Sequence, residues 1–282
     1  MYRESFRSDE KDPLIEPAYK KAEGLLNTDA INLEDFIPLY GKENVANDQK
    51  YVDQIEASIR EQGEGRENTA LKAATVFEAI IHQHGEQSNW FGSNASTIKA
   101  SRYDDLKNGV DTIVEFQEEK KPASQLALAI DVTFSSDLKR KFDRIKKEIE
   151  QGDLTRIKYF HSENTGFRGE MTKVPRIVVG ADIAVVKGLA GLWLEGQNSV
   201  LARHPIQFQI LEEARLQCEG FANYARKIGQ HDIAAKYEID LRIIEDIIKE
   251  KSKTLRDFGD RDRVFASISD YMSYSTSWRP EK

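Results

Sequence analysis

The chain has 282 residues, 39% hydrophobic and 32% charged, with a formal net charge of −7 and one cysteine, Cys218. That length supports one large core or two small ones. A lone thiol excludes internal disulfides and cysteine-based zinc sites, and no run of about 18 apolar residues is present to span a bilayer.

The acidic balance argues against a surface that is basic all round. It is unevenly spread: residues 1–50 hold 7 Lys/Arg against 11 Asp/Glu, and 136–176 hold 11 against 7. The polar N-terminus, MYRESFRSDEKDP, lacks the apolar stretch of a secretory signal. With a single thiol, this leads us to expect a cytoplasmic protein without a membrane partner.

In chain order, residues 1–50 show little periodicity beyond a short helix around 18–26 and are expected to lie as an arm on the body. Tyr51, Ile55 and Ile59, four residues apart, predict a helix over 48–62 that Gly63 and Gly65 break. A second helix is expected over 68–84, with Ala70, Ala74, Phe77 and Ile81 on one face and Gly85 as its terminator. The period then shortens. Segments 97–103 and 110–116 read as strands joined at Asn108-Gly109, a strong hairpin signal. LALAIDVTF, 126–134, reads as a buried third strand.

Ser135, Ser136 and Asp137 offer caps to a helix running to about 151, with Leu138, Phe142, Ile145 and Ile149 on its apolar stripe. A strand beginning over 156–160 follows, which predicts a parallel crossover. Segment 174–180 adds another buried strand. Helices are expected over 183–194, 206–228 and 232–256, the last two forming a hairpin at Gly229. The domain reading is an arm over 1–50, an α/β core over 51–200, a helical hairpin over 201–256 and a polar tail over 257–282.

Strand side chains alternate, so Ala127, Ala129, Asp131 and Thr133 share one face of 126–134. A carboxylate inside a strand is costly unless it is paired or bound to a metal. With a two-residue turn at Asn108-Gly109, Asp104, Asp111, Ile113 and Glu115 share a face, and a bulge would exchange Asp104 for Asp105. Asp111 then comes beside Asp131. Two such carboxylates repel unless one is protonated or a cation lies between them, and hard divalent ions take oxygen ligands of this kind.

The order of helix with Glu78, hairpin NGVDTIVEF, strand LALAIDVTF, crossover helix and strand resembles the PD-(D/E)XK, or restriction-endonuclease-like, nuclease superfamily over roughly 67–180. YDDLKNGVD and AIDVTFS also resemble blocks of an uncharacterised bacterial family. The superfamily resemblance implies an α/β fold with a mixed-sheet core of helix, three strands, helix and strand. It also implies phosphodiester hydrolysis, Mg2+ or Mn2+ as cofactor, and nucleic acid as partner. Carried over by residue, Asp111 and Asp131 are the acids that hold metal and activate water, Val132 offers its carbonyl, and Glu78 or Asp104 completes the shell.

One departure matters. The lysine position holds Thr133, which has no charge to orient an attacking water. Either that role passes to Lys139, Lys141 or Lys99, with Lys141 beside the buried stripe as the catalytic candidate, or hydrolysis is weak or absent. The basic stretch KRKFDRIKK, 139–147, offers Lys139, Arg140 and Lys146 to phosphates.

Plainer readings stand beside these. Asp111 is equally a turn residue, Asp131 a cap or ion-pair member, Glu78 the i, i+4 partner of His82, and 139–147 a solvated helix face. IHQHG lacks zincin spacing, and no glycine-rich phosphate loop occurs. The rival function is a structural or interaction protein that uses the nuclease-like core as scaffold. Its hairpin would bind a partner or form a homodimer through Ile239, Ile243, Ile244, Ile247 and Ile248, an apolar stripe that has to be buried somewhere.

Overall fold

The computed structural model describes residues 12–63, 69–117, 124–131, 136–255 and 261–280, and at 60, 62–63, 127–131 and 136–137 it describes the backbone alone. Its helices are α1 (Ile15–Asp29), α2 (Ile37–Tyr40), α3 (Lys42–Gly63), α4 (Thr69–Gln87), α5 (Arg102–Asn108), α6 (Ser136–Glu150), α7 (Ile183–Leu194), α8 (Asn198–Leu201), α9 (Ile206–Lys227), α10 (His231–Lys251) and α11 (Arg263–Ser273). Its strands are β1 (Ala95–Lys99), β2 (Thr112–Phe116), β3 (Ser124–Asp131), β4 (Thr155–His161), β5 (Arg168–Val174) and β6 (Arg176–Gly180). The fold is mixed α/β. Among the described residues no helix is long and apolar enough to cross a membrane.

The main sheet has the order β1-β2-β3-β6, antiparallel from β1 to β3 and parallel between β3 and β6. The parallel partner of β3 is therefore not the strand after α6, as the crossover reading expected. That strand, β4, pairs instead with β5 in a second sheet. The apolar content decides this. All of β6 is buried, as a strand covered on both faces requires, whereas Arg156 on β4 and Arg168, Glu170 and Lys173 on β5 stay in water.

Asn108-Gly109 is not a hairpin turn. Ser101 caps α5 by accepting from the Asp104 amide at 3.1 Å, with Asp104 and Asp105 in the first turn and Lys107 in the last, which suits the helix dipole. Gly109 closes the helix at φ +67°, a conformation in which a Cβ is disfavoured. Asp104 therefore leaves the strand face that it was expected to share with Asp111.

The expected arm and tail are both packed. In α1, Ile15, Ala18, Ala22 and Leu26 enter the main core; in α11, Val264, Ile268 and Met272 do. Gly85 does not end α4, which runs on to Gln87. Its missing side chain instead makes room for β1, because a Cβ there would lie 2.3 Å from Thr97 Cγ2.

The hairpin of α9 and α10 forms as expected, with Gly229 at φ +83° between its arms. α9 covers the outer edge of β6. Gln217 accepts from Val178 N at 2.8 Å and donates to Val178 O at 2.6 Å; Glu213 accepts from Gly180 N at 2.9 Å, and Gln209 donates to Gly180 O at 3.1 Å. From α10, Tyr237 O–H donates to Arg176 O at 3.1 Å. Three side chains at i, i+4 and i+8 of a helix thus act as the missing neighbour strand, which blunts an otherwise sticky edge. Ile244 is buried, and Ile243, Ile247 and Ile248 pack on the core, while Ile239 remains 39% exposed.

Candidate functional site

The site is built where β1 lies along α4. Four helical residues rise about 6 Å and two strand residues about 7 Å, so Glu78 and His82 on α4 can face Lys99 and Thr97 on β1. Thr97 Oγ1 donates to the His82 carbonyl at 2.7 Å, which fixes this register. Lys99 Nζ then sits 2.7 Å from Glu78 Oε1 and 3.7 Å from Asp105 Oδ2, and it donates to the Asp111 carbonyl at 2.9 Å. Both Lys99, 6% exposed, and Glu78, 9% exposed, are buried. The Lys99 ammonium is the positive charge at Glu78 Oε1.

Glu78, Asp105, Asp111 and Glu56 meet Lys99 and Arg102, whose guanidinium reaches Asp105 at 2.6 Å and Glu56 at 2.8 Å. Burial pushes the Glu78 carboxyl up against the opposing pull of Lys99, and Asp111 and Asp105 push it further. Burial alone would lower the Lys99 ammonium, but Glu78, Asp105 and Asp111 outweigh it and hold the amine charged.

On the other side of Asp111 opens a cavity of about 290 Å³, lined by Asp111, Arg140 and Lys141 with Arg144, Arg176 and Gly109. Asp111 thus stands between the buried acid–lysine cluster and a basic cavity. Asp131 lies in β3 with Gly180 as its parallel partner. Its side chain lies outside the described residues, and so do Val132 and Thr133. The register sets Thr112 opposite Leu128, so Asp111 is not directly across from Asp131.

Three expected site residues are placed elsewhere. Asp104 is fully buried as a hub: Oδ1 accepts from Lys158 N at 2.8 Å and Asn108 Nδ2 at 2.7 Å, and Oδ2 accepts from Tyr159 N at 3.0 Å and Ser101 Oγ at 2.8 Å. Both oxygens are filled, so its capacity goes to tying α5 to β4 rather than to a metal. Lys146 lies over the Tyr224 ring and 3.4 Å from Glu150, outside the cavity lining. Lys139 pairs with Asp143 at 2.5 Å on the outer face of α6, outside the cavity lining. Arg140 and Lys141 do line the cavity, as their place in the basic stretch suggested. Arg176 went unread, although a charge opening the buried run of β6 was a usable signal.

Oxygen donors of this kind suit magnesium or manganese, and an ion at Glu78 Oε1 would share that oxygen with the Lys99 ammonium 2.7 Å away. Among the described residues, however, no three His, Cys, Asp or Glu side chains form a metal-holding group. Compared with protein-family models, curated proteins and solved structures, the chain matches none.

Proposed function

We propose that the chain is a divergent metal-dependent nuclease of the restriction-endonuclease-like kind, or a catalytically weakened relative that retains nucleic-acid binding. The observation that carries this reading is Lys99, a charged amine buried beside Glu78, Asp105 and Asp111. It supplies from β1 the lysine that Thr133 does not supply from β3. The element order α4, β1-β2-β3, α6 and β6 parallel to β3 supports the same reading.

Glu78 and Asp111 would hold the ion together with Asp131. Magnesium or manganese, when bound, polarises a phosphoryl oxygen and lowers the pKa of a coordinated water. Lys99, kept protonated, would donate to charge on the phosphate, acting as a donor and not as a base. Lys141 and Arg140, on the cavity beyond Asp111, would supply positive charge toward the phosphodiester.

The test is a calorimetric titration with manganese and magnesium on wild type, Asp111→Ala and Asp131→Ala, followed by a cleavage assay on labelled DNA and RNA. Binding that both substitutions abolish, with cleavage lost in Lys99→Met, supports a nuclease. Binding of metal and nucleic acid without cleavage supports the weakened relative. No metal binding in wild type would end the metal reading. The rival scaffold reading asked for an uncovered apolar stripe on α10, and of that stripe Ile239 is the member left substantially exposed.

A further inference from the structure

The floor of the basic cavity is made by two arginines held side by side. Arg176 is 3% exposed; its guanidinium donates to the Asn108 carbonyl and, at 2.7 Å, to Glu148 Oε1. Arg144 donates to the Lys107 carbonyl at 3.3 Å, and its Nε lies 3.4 Å from the same Glu148 oxygen. The two groups share one carboxylate; burial lowers the pKa of Arg176, against the pull of Glu148, and repulsion from Arg144 adds to the lowering. Both Nη1 atoms converge on Gly109, where a Cβ would lie 3.0 Å from one and 3.4 Å from the other.

Capping the C-terminal carbonyls of α5 accounts for one donor from each arginine. The same cavity is also lined by Arg140 and Lys141, with Asp111 beside them. Guanidinium forks fixed by their own partners are preorganised for an oxyanion, which accepts several charge-assisted hydrogen bonds at once. The volume, about 290 Å³, is at the lower edge of the roughly 300–1,000 Å³ of small-ligand pockets. That is more room than a lone oxyanion fills.

We propose that this cavity binds a phosphomonoester, with Arg144 and Arg176 gripping the phosphate and Arg140 and Lys141 at its rim. A terminal phosphate on a nucleic-acid strand and a free mononucleotide present the same chemistry. The site adjoins the proposed metal site, since Asp111 also lines the cavity, but its donors are cations and its test is run without metal.

The experiment measures affinity for inorganic phosphate, for adenosine 5′-monophosphate, and for one oligonucleotide with and without a 5′-phosphate, all in the presence of EDTA. Wild type is compared with Arg144→Gln, Arg140→Gln and, as a control on α10, Lys249→Gln, each checked for an unchanged thermal melt. Arg144 is half exposed, so its loss leaves the core intact. We expect Arg144→Gln to weaken phosphate binding about tenfold or more, Arg140→Gln to weaken it less, and Lys249→Gln to leave it unchanged. A preference for the phosphorylated oligonucleotide over the mononucleotide assigns the strand end; the reverse assigns the free nucleotide. Absence of phosphate binding in wild type, or binding that Arg144→Gln and Arg140→Gln leave intact, overturns the proposal, whatever the metal titration gives.

Discussion

Replacing Lys99 with Met asks how much the buried acid–lysine cluster depends on its one amine. Met keeps much of the side-chain length and removes the charge. At the 2.7 Å separation from Glu78, Coulomb's law with an effective dielectric constant of about 20 gives about 6 kcal/mol for unit charges. Relief of the lysine's own desolvation offsets part of this. Breaking one side of a buried pair generally costs about 3–5 kcal/mol, and that is the loss we expect at pH 8.5.

The pH dependence has a definite sign. Burial, Asp111 and Asp105 already hold the Glu78 carboxyl above its unfolded value, so its contribution to stability falls as pH rises from the ordinary carboxylate range toward the raised folded value. Removing Lys99 raises that folded value further. At pH 5 Glu78 takes a proton in the variant and the cost drops to about 1–2 kcal/mol, the lost packing and hydrogen bond to Asp111 O. Urea denaturation at pH 5 and 8.5 measures this, and Glu78→Gln in the Lys99→Met background should recover at least about 2 kcal/mol at the higher pH. A loss below about 1 kcal/mol at both pH values, or no recovery in the double variant, would refute the view of Lys99 as counter-charge to buried carboxylates.

Two further outcomes test the packing around the site. Asp240 on α10 is fully buried, accepts one hydrogen bond from Ser124 Oγ at 2.6 Å, and burial pushes its pKa to about 7. Its folded value exceeds the unfolded one, so stability is lost as pH rises from about 4 to above 7, by up to about 4 kcal/mol; Asp240→Asn should remove that part of the slope in denaturation series across pH 4–8. Gly85→Ala forces a methyl against Thr97 Cγ2 at the α4–β1 contact. It should cost about 1–3 kcal/mol in urea melts and disturb Lys99, whereas Gly85→Ala with Thr97→Ser should regain most of the loss.

Local pattern fixed what depends on one segment at a time. The stripe of Leu138, Phe142, Ile145 and Ile149 is buried as its spacing required, Cys218 is sealed in the core, and the hairpin turns at Gly229. The nomination of Glu78 came from the superfamily resemblance, and that of Lys99 from the lysine missing at Thr133. Their contact was not legible. It depends on Gly85 admitting β1 against α4, a fit between segments that neither sequence shows alone.

Asn108-Gly109 was ambiguous for a physical reason: the positive φ that suits a hairpin turn also suits a helix terminator, and the Ser101 cap with its acidic first turn tipped the balance. That choice moved Asp104 from a strand face to a buried hub, where four donors from three parts of the chain meet it. The pairing of β3 with β6 and not β4, and the capping of β6 by Gln209, Glu213 and Gln217, were likewise decided only on folding. Periodicity says which face of an element must be buried. Which neighbour buries it, and which polar group satisfies an exposed edge, depends on partners distant in the chain, and only the tertiary structure supplies them.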